Sequence, residues 1–282
     1  MKTIALLTCE RLPDLNPADQ ALISLFAEQN IRAVPVIWKA ADVRWTDFAA
    51  LVVRNTWDYY KEADAFRQWL DAMDRTGVPM FNPVQVVKDN MHKFYLKRFQ
   101  EKGVTIIPTL FSSATAPVKW ETLQTQGWDK IVIKPAISAG SFLTQTYEAR
   151  TLTPEALQEA VAQDDWLIQP YLPEITTEGE LSMIFFNGTF SHAVLKKPQE
   201  GDFRVQRQYG GVYQRVDPTP ELLALGRRIA TLENHLLYAR VDGVMLDGKF
   251  HLMELELIEP DLYFEFGEDI RRRFVTSVVE KI

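Results

Sequence analysis

The chain opens on a compact apolar run, Thr3 to Thr8. Asn16-Pro17 follows as a helix cap and first turn, with Ala21, Leu22, Leu25 and Phe26 at helical spacing. Strand then helix begins an α/β unit. The β-rich runs Ile31 to Trp38 and Ala50 to Val53 come next, and Glu62 to Arg75 carries Phe66, Trp69, Leu70 and Met73 at helical intervals. Such alternation predicts a parallel sheet, so residues 1–90 read as a small doubly wound α/β domain whose ligand edge lies at the carboxyl ends of its strands.

Asp89 to Lys102 has the pattern of a charged amphipathic helix ending at Gly103, and Val104 to Leu110 that of a short strand closed by Pro108. Lys130 to Pro135 is a β-branched strand with a lysine near its exit, leading into a loop of small residues, Ala136 to Ser141. Thr153-Pro154 starts a helix to about Gln163, and Trp166 to Gln169 returns as a strand. Two hairpins follow, turning at Asn187-Gly188 and Asp247-Gly248, with a helix from Thr219-Pro220 to about Leu237 between them. Residues 91–282 are therefore α+β, with no repeat or low-complexity linker.

At 282 residues the chain is long enough for two or three domains of about 100 to 200 residues each. Hydrophobic content of 46% and charged content of 24% exclude disordered and fibrous classes. With 31 basic against 38 acidic residues, net −7, nucleic acid and anionic membrane are not expected partners. No apolar run approaches the ~20 residues that a bilayer requires. The segment Met1-Lys2 and Thr3 to Cys9 has a signal-like start, but Glu10-Arg11 ends it early and it reads as a strand. Cys9, the lone cysteine, closes no intrachain disulfide, which fits a reducing, cytoplasmic setting.

The segment Phe250 to Pro260 alternates with period two. That places Glu254 and Glu256 on one face, ~7 Å apart, and Met253, Leu255 and Leu257 on the other. With Asp242 from the partner strand, three acids converge, a costly arrangement unless a cation neutralises them; hard oxygen ligands suit Mg²⁺ held with phosphates. A solvated sheet face accounts for the same acids taken alone. Lys134 beside its loop suits a phosphate, yet the loop matches neither the Walker nor the dinucleotide pattern. Lys93, Lys196-Lys197-Pro198, Gly201-Asp202-Phe203-Arg204 and Tyr209-Gly210-Gly211 add basic and glycine-rich positions, and Arg240 shares a strand face with Asp242. Arg54, Trp57, Asp58 and Tyr59, at a strand end, read either as substrate contacts or as an aromatic plug over the core.

Taken in order, these segments resemble the ATP-grasp enzymes, over roughly residues 80–265, and the first domain resembles that family's pre-ATP-grasp domain. The Glu254-Leu255-Glu256-Leu257-Ile258-Glu259-Pro260 ending, with Arg54, Trp57, Asp58 and Tyr59, is similar to the glutathione-synthetase-like branch that includes the D-cycloserine-forming ligase. The resemblance implies an N-terminal parallel-sheet domain and a two-subdomain ATP-grasp fold, its subdomains at about 91–170 and 171–282, with adenine against Gln169, Pro170, Tyr171 and Leu172. Lys93 and Lys134 would meet phosphates under Ser138, Ala139, Gly140 and Ser141. Lys196 and Glu180 complete the nucleotide set, with Glu174 or Thr176 as alternatives for the ribose. Asp242, Glu254 and Glu256 match Mg²⁺-binding positions, expected to hold a pair of ions, and Arg204 and Arg240 match positions at the transferred phosphate. Arg54, Trp57, Asp58, Tyr59, Gly210 and Gly211 are the expected substrate contacts. Glu256 stands where many members carry asparagine, Gln169-Pro170 replaces a commoner acidic hinge, and the loop is glycine-poor.

The function implied is an ATP- and Mg²⁺-dependent carboxylate–amine ligase acting on small amino-acid-like molecules, in one or two pieces, with a homo-oligomer left open. A small-molecule kinase and a non-catalytic nucleotide-binding module are the alternatives.

Overall fold

The computed structural model describes residues 1–199, 204–205 and 207–282; Gly201, Asp202 and Phe203 of the motif above lie outside them. The first domain runs β1 (Lys2–Thr8), α1 (Pro17–Glu28), β2 (Ile31–Ile37), β3 (Ala50–Asn55), α2 (Ala63–Thr76) and β4 (Met80–Phe81). Asn16 caps α1 by accepting from the N–H groups of Ala18 and Asp19 at 2.8 and 3.0 Å, a contact worth about 1 kcal/mol. The strands pair in parallel in the order β2-β1-β3-β4. Its strand ends face the rest of the molecule, where a doubly wound sheet binds ligands.

The middle of the chain holds α3 (Val84–Asn90), α4 (Tyr95–Glu101), β5 (Leu110–Ser112), α5 (Trp120–Gln124), β6 (Lys130–Pro135), β7 (Gln145–Glu148), α6 (Pro154–Ala160) and β8 (Trp166–Pro170). Their antiparallel sheet has the order β5-β8-β6-β7. After α7 (Glu174–Thr177) come β9 (Glu180–Phe186), β10 (Thr189–Lys197), β11 (Val212–Val216), α8 (Pro220–Ala230), β12 (Tyr238–Leu246), β13 (Lys249–Glu256) and α9 (Glu268–Val279). Here the order is β11-β10-β9-β12-β13, antiparallel throughout. Both hairpins turn where expected, with positive φ at Asn187, Gly188, Asp247 and Gly248. α9 packs on α1, so Phe274, Val275 and Val278 share one core with Ile4, Leu6, Leu22 and Phe26.

Four expectations need correction. The helix expected over Asp89 to Lys102 is broken between α3 and α4, because the Lys93 N–H turns aside to donate to Ala136 O at 2.9 Å. The strand expected over Val104 to Leu110 begins only at Leu110, as β5; residues 105–107 lie along β13 instead, where Leu252 N–H donates to Thr105 O and Ile107 N–H to Leu252 O. α8 stops at Ala230, not Leu237: the Leu232 N–H shifts to Ile229 O, three residues back, and the Arg228 O it leaves takes the Thr231 hydroxyl. α6 ends at Ala160 rather than Gln163. β7, β11 and α9 are elements that the hydrophobic pattern did not announce.

Candidate active site

A cleft of about 480 Å³ lies where the three sheets meet. One wall is the β12–β13 hairpin. Cross-strand register sets Asp242 opposite Glu254 and Arg240 opposite Glu256, and all four line the cleft. Register shifts between Asp242 and Gly243, which leaves Met253 as an extra residue in β13. Period two therefore breaks, and Met253 joins Glu254 and Glu256 on the cleft wall instead of the opposite face where alternation placed it.

Charges on this wall are paired. The Arg240 guanidinium holds Asp242 with Nε at 3.0 and 3.1 Å and Nη2 at 2.8 Å, reaches Glu256 with the same Nη2, and donates to Asp261 O at 3.0 Å. Ser182 Oγ also donates to Asp242. Burial opposes ionisation of Asp242, yet Arg240 and Lys196 outweigh it and lower its pKa. For Glu256 burial wins and the carboxyl is held well above the usual range, even though a quarter of its side chain, 26%, meets the cleft. Those facts agree for a group at the bottom of a concave wall, touched by solvent on one side and enclosed by protein on the others. Lys196 ion-pairs with Glu180 and stands 3.9 Å from Asp242. Among the described residues no three acids, histidines or cysteines sit close enough to hold a metal alone. A Mg²⁺ ion fits this wall only with oxygens added by a phosphate ligand, its usual habit.

The facing wall is basic. Lys93 is 5% exposed, donating to Ser138 O at 2.6 Å and pairing with Glu254 at 2.9 Å. Lys134, pointing from β6 into the cleft, is within salt-bridge distance of no described acid, and burial lowers its pKa. Above it Ser138, Ala139, Gly140 and Ser141 also line the cleft. Although glycine-poor, the loop enters left-handed backbone at Gly140, Ser141 and Leu143. Phe142 at its tip rests 5.0 Å from the ring of Tyr60 in the first domain. Gln169, Pro170, Tyr171 and Leu172 form the edge between sheets; Gln169 donates to Thr109 Oγ at 2.9 Å, and the Tyr171 N–H is spent on Lys130 O. Arg204 lines the cleft with its guanidinium 3.5 Å from the centre of the Tyr209 ring.

Of the expected substrate contacts, Trp57 and Tyr59 line the cleft. Arg54 does not: it is fully buried, its Nε 2.7 Å from Asp19, with Nη2 donating to Pro260 O. Asp58 accepts from Trp38 Nε1 at 2.8 Å and also stays off the cleft. Gly210 and Gly211 do not line it either; Gly210 has φ +83° and closes a turn into β11, where a Cβ would strike Gln199. The sequence reading missed Arg11, Arg207, Met253, Glu259, Asp261 and Tyr263, all cleft residues. Glu259 was visible as an acid before a proline at a strand exit. Burial pushes its carboxyl up to about 7.

Residues 4–82 match the family described as the N-terminal domain of D-cycloserine synthetase DcsG. The chain is 28% identical over 263 residues to the cycloserine biosynthesis protein DcsG of Streptomyces lavendulae, covering 87% of each. It superposes on the crystal structure of D-cycloserine synthetase DcsG with a TM-score of 0.86 at 24% identity, covering 99% of both chains. It also superposes on the ATP-grasp ligase PsnB complexed with a phosphomimetic variant of its minimal precursor, Mg and ADP. There the TM-score is 0.69 at 13% identity, over 100% of this chain and 99% of that one.

Proposed function

We propose that the chain is an ATP-grasp ligase of the D-cycloserine ligase-like branch and that it joins a carboxylate to an amine through an acyl phosphate. The carrying observation is that Lys93, Lys134, Asp242, Glu254 and Glu256 line one cleft, with Lys93 paired to Glu254 at 2.9 Å. That pattern suits a triphosphate whose oxygens meet lysines on one side and acids on the other.

In this reading a substrate carboxylate oxygen bonds to the γ-phosphorus of ATP as the bond to the β–γ bridging oxygen breaks, and ADP leaves. The amine nitrogen then bonds to the acyl carbon, phosphate departs, and the nitrogen sheds its proton. The first step brings two anions together and the second expels an anionic phosphate, so charge neutralisation and alignment do the work and no side-chain nucleophile is required. Lys93, Lys134 and Lys196 bind phosphate oxygens. Asp242, Glu254 and Glu256 hold Mg²⁺, which supplies further neutralisation when bound. Arg204 and Arg240 orient the transferred group. Gln169 to Leu172 flank the base, and Glu180 reaches toward the ribose. Small amino-acid-like molecules are the substrate class, and the same chemistry serves one molecule carrying both groups or two separate ones.

The test is ADP release over pooled amino acids, hydroxy acids and amines, with hydroxylamine as a trap. Hydroxamate formation is the expected result. A phosphorylated product stable to hydroxylamine identifies a kinase, and tight ATP binding without turnover identifies a binding module.

A further inference from the structure

The ligase reading leaves one buried acid unused. Glu259 lines the cleft, is 8% exposed, and forms no ion pair with any described residue. Lys93, whose field acts on it, is already held by Glu254 and Ser138 O. A carboxylate so far from water is unfavourable without a counter-ion, and its elevated pKa registers that strain. Its backbone is fixed: Trp57 Nε1 donates to Glu259 O at 2.9 Å. Trp57, Tyr59 and Tyr60 line the same cleft, and burial, then the Glu259 charge, raise the Tyr59 phenol. Arg11, exposed on the same cleft, forms no ion pair with any described residue.

We propose that Glu259, on the same cleft as Trp57, Tyr59 and Tyr60, is the ammonium site of the substrate cleft and receives the protonated amine of a small amino acid. This deepens the ligase reading and rests on it. A carboxylate among aromatic rings suits an organic ammonium, which gains from both the charge and the ring faces. Mg²⁺ prefers a shell of oxygens and keeps its waters, and three indole and phenol rings offer it little. Arg11 at the rim gives the opposite charge that a zwitterion requires.

The experiment is calorimetric titration of the full chain, saturated with a non-hydrolysable ATP analogue and Mg²⁺. Its probes are glycine and both enantiomers of alanine and serine, against glycolate, lactate and glycerate. Wild type should bind at least one amino acid about ten-fold or more tightly than its hydroxy-acid counterpart. Glu259→Gln should erase that preference. Equal binding of matched pairs, binding of no amino acid, or an unchanged preference in the variant overturns the site. A variant that instead needs more Mg²⁺ to bind nucleotide makes Glu259 a metal ligand and also overturns it. Should Glu259→Gln fail to fold, Tyr60→Leu reads the same preference, which should weaken. Amino-acid binding that depends on Glu259 without any ADP release would sink the ligase reading and leave the ammonium site standing. ADP release without amine preference would do the reverse.

Discussion

Arg54 Nε lies 2.7 Å from Asp19 Oδ1, and neither side chain keeps more than 2% of its surface. Burial opposes the guanidinium charge, but Asp19 more than restores it. The rings of Tyr238, Phe264 and Phe274 close around the guanidinium at 5.4 to 5.5 Å. An arginine that the sequence set among substrate contacts is thus a strut joining β3 to the segment before α9. Asp19→Ala strands a buried cation and should cost about 3–5 kcal/mol in urea unfolding. A loss below about 1 kcal/mol would show that the pair is not carrying the charge.

Lys134→Met removes a charge that burial already disfavours. Nucleotide affinity should fall about ten- to hundred-fold in a fluorescence titration, while thermal stability holds or rises. Unchanged affinity would remove Lys134 from the phosphate site.

Glu254→Gln keeps shape and removes charge. Mg²⁺-dependent ADP formation should vanish while circular dichroism stays that of the parent. Full turnover in this variant would refute Glu254 as part of the metal-binding wall.

His192 gives a pH signature away from the cleft. It is 2% exposed, donates Nε2–H to Leu262 O at 3.1 Å, and burial lowers its pKa from 6.5 to about 4. Between those values the unfolded chain binds the extra proton, so this contribution is complete above about 6.5, shrinks as pH falls, and is gone below about 4. The loss amounts to roughly 3 kcal/mol. Denaturant midpoints across this range should slope less for His192→Gln. Parallel slopes would contradict the assignment.

The parts of the site carried by strand periodicity were legible from residues alone: the face shared by Arg240 and Asp242, and Glu254 with Glu256 opposite them. Local pattern does not encode where one extra residue enters a ladder, so the bulge that turns Met253 inward was invisible. Arg54 misled because position at a strand end does not say which face a side chain takes; Asp19, on a helix elsewhere, decided that. Glu259 was in view within the acidic ending, but its lack of a counter-ion is a property of three dimensions. Helix ends at Ala230 and Asn90 depended on single hydrogen bonds that spacing cannot register.

The seating of α9 against α1 has a consequence for folding. The outer flank of the first helix stays uncovered until α9, far along the chain, reaches it. Such distant pairing raises contact order, so the opening domain should consolidate slowly and late relative to its own local contacts.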